Sequence, residues 1–465
     1  MADDIKNKKA TNKEAAKKEL QKKAQKRNIK VEKNNNIKPK EDKRKIKKAG
    51  VKKSVKDDTK DKEKEKKKSV FYDYSFIFII FVLIAFGLIM IYSASSYTAE
   101  LKFKNSAYFV WKQMKNVLMG FVAMIIISFI PYKVWTGKFI KIRIPYFIHV
   151  VATGLVGLVL IIGRDANGAR RWIKIAGVKF QPSELVKVSI IILMAYYLVK
   201  YKDVLHGDDK KRAEKYLWLL FGMVMVPTVL VLLENMSTAI IIFLIAFCIS
   251  FLGTSYRKLH TLGAIIIGFA LIFSKPFVRI LYEKGFRDYH LIRLLVWAEP
   301  EKFSRDGGYQ VMQGLYAIGS GNIFGKGLGE GMQKFFLPES QNDMIFAIIV
   351  EELGLFGAAL LLGAFAFIIY RMVKIAFSIK DLEGVYLVVG ILIHISLQVI
   401  LNIAVVTGVL PNTGVSLPFI SYGVSSLLAF YVQIGLVINV GLQRRDIVHE
   451  DDMPRGRVGF GGRYR

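Results

Sequence analysis

The sequence predicts an all-α polytopic membrane protein with ten transmembrane helices and a large extracytoplasmic loop between helices 7 and 8. Apolar runs of about 20 residues, the length that spans a bilayer, recur from Ser75 onward. Hydrophobic residues make up 53% of the 465 residues, which excludes a disordered protein. The single cysteine, Cys248, excludes intramolecular disulfides, and the six histidines show no ligand spacing, so we expect no zinc enzyme.

Residues 1–69 form a Lys-rich tail. The tail has 28 Lys and Arg against 12 Asp and Glu, and so carries +16 of the formal net charge of +31. High charge with low hydrophobicity predicts a disordered cytoplasmic segment. A second interpretation is attraction to anionic lipid headgroups, at about 1 kcal/mol for each Lys near the membrane. We do not expect nucleic-acid binding, because the tail lacks interleaved aromatic residues and a folded module.

Residues 70–445 form the predicted membrane domain, and the Gly- and Arg-rich residues 446–465 form a second cytoplasmic tail. The predicted spans are 74–93, 115–131, 144–163, 183–200, 216–233, 237–253, 259–275, 344–370, 384–408 and 420–441. Lys and Arg in the short loops predict that both termini lie in the cytoplasm. The interruption over 276–343 is then extracytoplasmic. So is the basic segment 164–182, whose cations indicate an anionic ligand.

Charged residues cluster at the mouth of the fourth span, in Gln181-Pro-Ser-Glu-Leu-Val-Lys187. Pro182 suits the first turn of a helix, and Glu184 and Lys187 lie three residues apart on one helical face. Ionisable side chains inside a bilayer pair with one another or line a polar cavity. This pair is therefore either a structural ion pair or part of a cavity for a charged headgroup.

The outer segment before this span contains Gly168-Ala-Arg-Arg-Trp-Ile173, followed by Lys174. The guanidinium groups of Arg170 and Arg171 suit recognition of a diphosphate. The alternative is an interfacial anchor in which Trp172 belongs to the aromatic belt.

A glycine-rich run over 319–331 resembles a nucleotide-binding loop but does not match one. Gly319 stands one residue too early for a P-loop, and Gly327 follows Lys326 where Ser or Thr is required. We expect Gly325 and Gly327 to allow tight turns and close backbone packing at the membrane surface.

The segment Leu337-Pro-Glu-Ser-Gln-Asn-Asp343 leads directly into the eighth apolar run. Ser340 and Asp343 fit a capping box at the start of a helix. The alternative is that Asp343 is a general base at a water-filled mouth. A helix N-terminus lowers and apolar surroundings raise the pKa of such a carboxyl group, so its direction stays open. Glu351 and Glu352 need partners or water deeper in the same span, and either line or brace the cavity.

The uncharged segment 409–419 precedes the tenth span. Its two prolines, Pro411 and Pro418, together with Gly414 and the following Gly423, indicate broken or re-entrant backbone, which membranes tolerate only where it lines a cavity. The residues alone indicate a transporter or a lipid-handling enzyme with a polar interior.

Several motifs, in this order over residues 75–445, resemble the SEDS family (shape, elongation, division and sporulation proteins), which includes the FtsW, RodA and SpoVE groups. The motifs are Ile91-Tyr-Ser-Ala-Ser-Ser96, 168–173, 181–187, the glycine run, 337–343, Glu351-Glu-Leu-Gly354, Leu410-Pro-Asn-Thr-Gly414 and Ser421-Tyr-Gly423. Glu234-Asn-Met-Ser-Thr238 is more similar to FtsW-type division members than to RodA. Val424 departs from the usual Ser-Tyr-Gly-Gly-Ser.

The resemblance implies a peptidoglycan glycosyltransferase that polymerises lipid II at the outer face of the cytoplasmic membrane. It implies that Asp343 is the essential carboxylate, acting as the general base of an inverting transfer. It also implies that Glu184 and Lys187 form a cavity pair, and that Arg170 and Arg171 belong to an outer arginine motif. The implied partners are lipid II, a class B penicillin-binding protein and other division proteins.

Two further expectations concern the cofactor and the competing functions. No cofactor is required, but a divalent cation, Mg or Mn, at the lipid diphosphate is compatible with charge development on the leaving group. A lipid II flippase is the alternative from another functional class. It differs from a glycosyltransferase in that a transporter needs no base at Asp343. A RodA-type elongation polymerase and a non-catalytic division scaffold are the remaining alternatives.

Overall fold

The computed structural model describes residues 73–139, 141–166, 169–175, 178–285, 289–303, 308–412 and 414–443. Both predicted tails, 1–69 and 446–465, lie outside these residues. The longer helices are α1 (Tyr74–Phe103), α2 (Tyr108–Phe129), α4 (Ile144–Ile162), α5 (Pro182–Lys200), α7 (Lys210–Leu232), α8 (Met236–Leu252), α9 (Arg257–Glu283), α10 (Tyr289–Ala298), α11 (Gly308–Ser320), α12 (Ile345–Phe377), α13 (Leu382–Val406) and α14 (Val424–Leu442). The short helices α3 (Tyr132–Thr136) and α6 (Lys202–Leu205) and a 3-10 turn at Gln333–Phe335 complete the helical elements of the described chain.

The described residues form a mostly helical membrane protein. Eight helices are long and apolar enough to cross a bilayer: α1, α2, α4, α5, α7, α12, α13 and α14. Helix α9 counts as a ninth if its two halves, which meet at 50°, form one span. Helix α8 has 17 residues and is apolar but shorter. All ten predicted spans thus coincide with helices, while the count of ten crossings stays a prediction.

Helix α5 lies at the centre of the bundle. Pro182 occupies its first turn, where no intrahelical N–H is needed. Nearly every later residue is buried, because α4, α8 and α13 pack around it. A helix that is apolar on all sides is typical of such an interior position. Its first turn nevertheless carries Glu184 and Lys187, so the centre of the bundle is charged at this end.

Two glycine residues allow α1 and α2 to make close contacts with other parts of the bundle. A Cβ atom at Gly87 of α1 would lie 2.8 Å from the carbonyl oxygen of Phe419. A Cβ atom at Gly120 of α2 would lie 2.2 Å from the ring of Tyr431 on α14. Both distances are too short for a side chain, so glycine lets α1 and α2 press against the C-terminal part of the fold.

The described residues between 164 and 180 form a small antiparallel sheet, which the hydropathy pattern does not predict. Strand β4 (Ala169–Ile175) pairs with β3 (Arg164–Ala166) and β5 (Val178–Phe180). A second hairpin joins β1 (Lys138–Phe139) to β2 (Ile142–Arg143). These strands are short and highly charged, and hydropathy patterns tuned to membrane spans do not detect them.

Two helices differ from the predicted span boundaries. Helix α9 continues through Pro276 to Glu283, past the residue at which the predicted outer loop begins, so the extracytoplasmic position of that loop stays a prediction. The bend in α9 lies between Phe269 and Ile272, and Pro276 does not end the helix. The last helix begins at Val424 and not at 420. Phe419 adopts a left-handed φ of 63°, which stops regular helix before that point.

Candidate active site

A cavity of about 1040 Å³ opens among α2, the start of α5, the start of α8, segment 337–343, α13 and segment 414–426. Cations outnumber carboxylates among its described lining residues, which include Lys112, Lys115, Arg171, Lys179, Lys187, Glu184, Glu339 and Asp343. Concave sites with a few convergent polar groups are typical of ligand binding. A net positive lining selects an anionic ligand.

Glu184 and Lys187 form an ion pair at the cavity wall. The Nζ of Lys187 lies 2.9 Å from Oε2 of Glu184, and both side chains are almost fully buried. The same Nζ donates to Oε1 of Gln398 at 3.4 Å. Both residues also line the cavity. The predicted ion pair is therefore confirmed, while a part in ligand binding stays a prediction.

Asp343 lies two residues before α12 and is half-buried. Burial raises the pKa of its carboxyl group to about 6, and the Glu339 carboxylate adds to the rise. The backbone N–H groups of Asp343 and Met344 and the charge of Arg293 act in the opposite direction. Burial therefore outweighs the helix-start effect in setting the pKa of Asp343. A carboxylate with a pKa near 6 is a stronger base than ordinary aspartate and is mostly ionised at pH 7.

Irregular backbone from 407 to 423 faces Asp343. Gly414 has a φ of +71°, and a Cβ atom there would lie 3.7 Å from Oδ2 of Asp343. Pro411 is half-buried in the same segment, while Thr413 lies outside the described residues. The side chain of Ser421 accepts from the N–H of Leu417 at 2.8 Å and holds the turn before α14. This segment forms one wall of the cavity with non-helical backbone.

Glu351 and Glu352 lie elsewhere, since neither lines this cavity among the described residues. Both are fully buried, and they bind the glycine-rich run. Glu351 pairs with Lys326 at 2.7 Å and accepts from the N–H groups of Met332 and Gln333. This geometry does not support their predicted part in substrate binding. It supports the alternative, in which the two carboxylates brace the glycine-rich run.

The glycine run lies against a break in α12. Gly354 has a φ of +69°, and a Cβ atom there would lie 2.3 Å from the carbonyl oxygen of Ile323. The N–H of Lys326 and of Gly327 donate to the carbonyl groups of Glu351 and Glu352 at 3.0 Å each. Gly325 has a φ of +78°, and a Cβ atom at that position would meet the Glu352 carbonyl at 2.2 Å. The run therefore satisfies the backbone groups that the break exposes.

The arginine motif is described in part. Arg171 and Trp172 line the cavity. The backbone of Arg170 pairs with Asp165 and that of Lys174 with Lys179 within the small sheet. The side chains of Arg170 and Lys174 and the whole of Gly168 lie outside the described residues. Of the predicted cations Arg170, Arg171 and Lys174, at least Arg171 thus lies at the cavity wall.

Some residues at or near the cavity are not predicted from the sequence. Lys112 and Lys115 stand one turn apart near the start of α2, and both line the cavity. Gln398 of α13 also lines the cavity, and the buried Asn402 lies four residues further along the same helix. The signal that identifies them is an amide pair at helical spacing inside an apolar run, because polar groups in a membrane need partners.

No three His, Cys, Asp or Glu side chains come together as metal ligands within the described ranges. The residues present therefore do not form a protein-built metal site. Mg²⁺ is often held by one or two carboxylates together with substrate phosphates. A divalent cation here would depend on ligands that a substrate brings.

Comparison with known proteins agrees with this architecture. A profile of the FtsW/RodA/SpoVE family, described as a cell cycle protein, matches residues 74–446. A "Probable peptidoglycan glycosyltransferase FtsW" of Geobacter sp. (strain M18) is 34% identical over 376 residues, covering 80% of this chain and 98% of the relative. "Stage V sporulation protein E" of Bacillus subtilis (strain 168) is 35% identical over 375 residues, covering 78% and 95%.

Two solved structures share the fold. One, described as "Structural coordination of polymerization and crosslinking by a peptidoglycan synthase complex", contains a chain with a TM-score of 0.64 and 23% identity, covering 81% of this chain and 99% of that one. The rod shape determining protein RodA of Thermus thermophilus has a TM-score of 0.55 and 23% identity, covering 82% and 99%. The ordered motifs, the polytopic helical bundle and these matches together make the chain a member of the FtsW/RodA/SpoVE family of SEDS proteins.

Proposed function

We propose that this protein is a peptidoglycan glycosyltransferase that polymerises lipid II for septal cell-wall synthesis. The observation that carries the proposal is the position of Asp343, a half-buried carboxyl group with a raised pKa at the wall of a cation-lined cavity. The name of the Geobacter relative, a probable peptidoglycan glycosyltransferase FtsW that matches 80% of this chain, supports the same activity.

In the proposed reaction, Asp343 accepts the proton of the sugar hydroxyl on the acceptor. The resulting oxygen attacks the anomeric carbon of the donor, and the bond from that carbon to the lipid diphosphate breaks. The electron pair leaves with the diphosphate, and the configuration at carbon inverts. Lys112, Lys115, Arg171 and Lys179 line the space where this negative charge develops.

We also propose a role for the buried pair. The Lys187 ammonium is neutralised by Glu184, so the pair contributes a directional donor and acceptor without adding net charge. Such a preorganised dipole suits the uncharged sugar hydroxyl groups of the substrate. A divalent cation at the diphosphate is a further proposal, to be tested by polymerisation with and without a chelator.

The proposed topology has both termini in the cytoplasm. It puts the links 132–143, 201–215, 254–258 and 371–383 on the cytoplasmic side. Contacts within this set support a shared side: Tyr132 donates to Asp381 at 2.5 Å, and Thr254 donates to the carbonyl of Leu205 at 3.1 Å. Segments 337–343 and 414–423, which line the cavity, also contact each other, because the N–H of Tyr422 donates to the carbonyl of Gln341. The cavity then faces the outer leaflet, where lipid II is polymerised.

The proposed partners are lipid II, a class B penicillin-binding protein and other division proteins. Likeness to a chain of a synthase complex described by both polymerisation and crosslinking supports a crosslinking partner. The Lys-rich tail, 1–69, is proposed as a cytoplasmic segment attracted to anionic lipid.

The deciding experiment measures lipid II polymerisation by the purified protein with its penicillin-binding partner. Asp343→Asn is compared with the wild type and with Asp208→Asn, which changes an exposed aspartate in the loop between α6 and α7. Loss of glycan strands in Asp343→Asn alone, with lipid II still bound, supports the proposal. Equal polymerisation by Asp343→Asn overturns the role of Asp343. A wild-type complex that makes no strands but moves lipid II across vesicles supports the flippase instead.

A further inference from the structure

Two amide side chains on α13 connect the Glu184–Lys187 pair with the segment that carries Asp343. Gln398 and Asn402 lie one helical turn apart, and both are buried. Side chains four residues apart project from the same face of a helix. This face points at the irregular segment 414–416 and at the start of α12.

Asn402 joins two backbone carbonyl groups. Its Nδ2 donates to the carbonyl oxygen of Asp343 at 2.8 Å and to that of Val415 at 2.6 Å. One side chain thus holds the residue that carries the proposed base and the wall segment opposite it. Asp343 lies outside regular helix, so the position of its backbone depends on contacts of this kind.

Gln398 makes the corresponding contacts one turn away. Its Nε2 donates to the carbonyl oxygen and the hydroxyl of Ser416 at 3.2 and 3.3 Å. Its Oε1 accepts from Nζ of Lys187 at 3.4 Å and faces Nε2 of His394 at 3.1 Å. Val415 and Ser416 are adjacent, so the two amides form hydrogen bonds with consecutive residues of one segment.

We propose that Asn402 is a positioning residue for Asp343, and that Gln398 and Asn402 together set the geometry between the Glu184–Lys187 pair and that carboxylate. This inference rests on the proposed function. Asn402 bonds to the backbone carbonyl of Asp343 and not to its carboxylate, while Gln398 bonds to both Ser416 and Lys187. They act by holding backbone, and a misplacement of about 1 Å in such a site costs on the order of 100-fold in rate.

The chain offers a matched control in Asn439 on α14. Asn439 is also buried and also bridges backbone groups, donating to the carbonyl of Ser128 and accepting from the N–H of Tyr132, both at 2.7 Å. Among the described residues its bonds reach Ser128, Tyr132 and Gln443, and not the two segments that Asn402 joins. Removing either amide therefore creates a similar structural defect, but only the Asn402 variant disturbs Asp343.

The test compares Asn402→Ala, Asn439→Ala and the wild type in lipid II polymerisation, as a function of pH and per unit of folded protein. The charged groups that face Asp343 from the neighbouring elements, or share its cavity, are unchanged in both variants: Glu339, Arg293, Lys112, Lys115, Arg171, Lys179, Glu184 and Lys187. Loosening of Asp343 admits water to its carboxyl group, so the midpoint of the acidic limb moves to lower pH.

We expect Asn402→Ala to lower kcat by on the order of 10- to 100-fold and to move the acidic limb, while Asn439→Ala keeps the wild-type kcat and midpoint. The inference is overturned if Asn402→Ala keeps the wild-type pH midpoint and loses activity only in proportion to the loss of folded protein. It is also overturned if Asn439→Ala shows the same change in kcat and midpoint as Asn402→Ala. If Asn402→Ala does not fold, Asn402→Ser keeps a hydroxyl donor and is measured in its place, with the same two outcomes. A wild type without polymerisation refutes the proposed function itself, which separates the two failures.

Discussion

The hydroxyl of Ser93 on α1 lies 2.6 Å from both carboxylate oxygens of Glu352 on α12, although 259 residues separate them in the chain. Glu352 also pairs with Lys334 at 3.2 Å and accepts from the N–H of Gly329 at 3.0 Å. Lys334 in turn donates to the carbonyl of Gly329. One buried carboxylate therefore joins the first span, the eighth predicted span and the segment that leads to Asp343.

Lys334→Met is expected to destabilise the protein strongly. Lys334 is 5% exposed, and its loss leaves part of the Glu352 charge unpaired in a fully buried place. Removing one partner of a buried pair typically costs about 3–5 kcal/mol. Thermal unfolding in one detergent measures the effect.

The control is Lys302→Met, because Lys302 pairs with Glu299 at 2.7 Å but is 74% exposed. Exposed pairs contribute about 0–1 kcal/mol, so its unfolding temperature should barely change. Equal shifts in the two variants would show that the Lys334–Glu352 pair does not brace the fold.

Gly354→Ala is expected to be poorly tolerated, whereas Gly363→Ala in the same helix is neutral. At Gly354 the backbone has φ 69° and ψ −171°, a region that essentially only glycine adopts and that costs another residue about 1–3 kcal/mol. The alanine Cβ would also meet the Ile323 carbonyl. At Gly363 nothing lies within 4 Å. Folded yield and unfolding temperature measure both variants, and a stable Gly354→Ala would contradict the close packing described above.

Polymerisation should rise with pH through about 6, because burial raises the pKa of Asp343 to about 6 and only the ionised carboxylate accepts a proton. Glu339→Gln removes a like charge that raises this pKa, so the acidic limb should move to lower pH. Glu330→Gln, an exposed change in the glycine-rich run, is the control and should leave the profile in place. Coincident profiles for all three proteins would argue against Asp343 as the titrating base.

Lys112→Gln is expected to raise KM for lipid II by roughly 5- to 10-fold, which corresponds to about 1–1.4 kcal/mol. Lys112 lines the cavity, and an attraction to phosphate weakens with salt. The salt dependence of KM should therefore be smaller in the variant. Lys102→Gln changes an exposed lysine at the end of α1 that does not line the cavity, and should behave as the wild type.

Local spacing accounts for what the sequence predicts well. Glu184 and Lys187 are three residues apart on one helix, so their ion pair follows from helical geometry alone. The ten apolar runs coincide with helices because span length and hydropathy are local properties. The irregular backbone around Gly414 follows from its prolines and glycines.

Long-range packing accounts for the rest. Glu351 and Glu352 bind the glycine-rich run, and no spacing rule relates 351 to 326 or 352 to 93. The direction of the pKa shift of Asp343 depends on which elements bury it, which a single segment does not reveal. The charged strands β3 to β5 lack the hydropathy signal on which the span prediction depends.

The contacts that hold segment 337–343 also bear on how the protein is made. Ser340 donates to the carbonyl of Ala94, near the beginning of the membrane domain, while Asn402 and Tyr422 bind the carbonyls of Asp343 and Gln341 from near its end. A chain still emerging from the ribosome lacks the last two contacts until nearly all its helices are in the bilayer. The proposed base is therefore assembled late, and a prematurely terminated chain inserts into the membrane without the proposed active site.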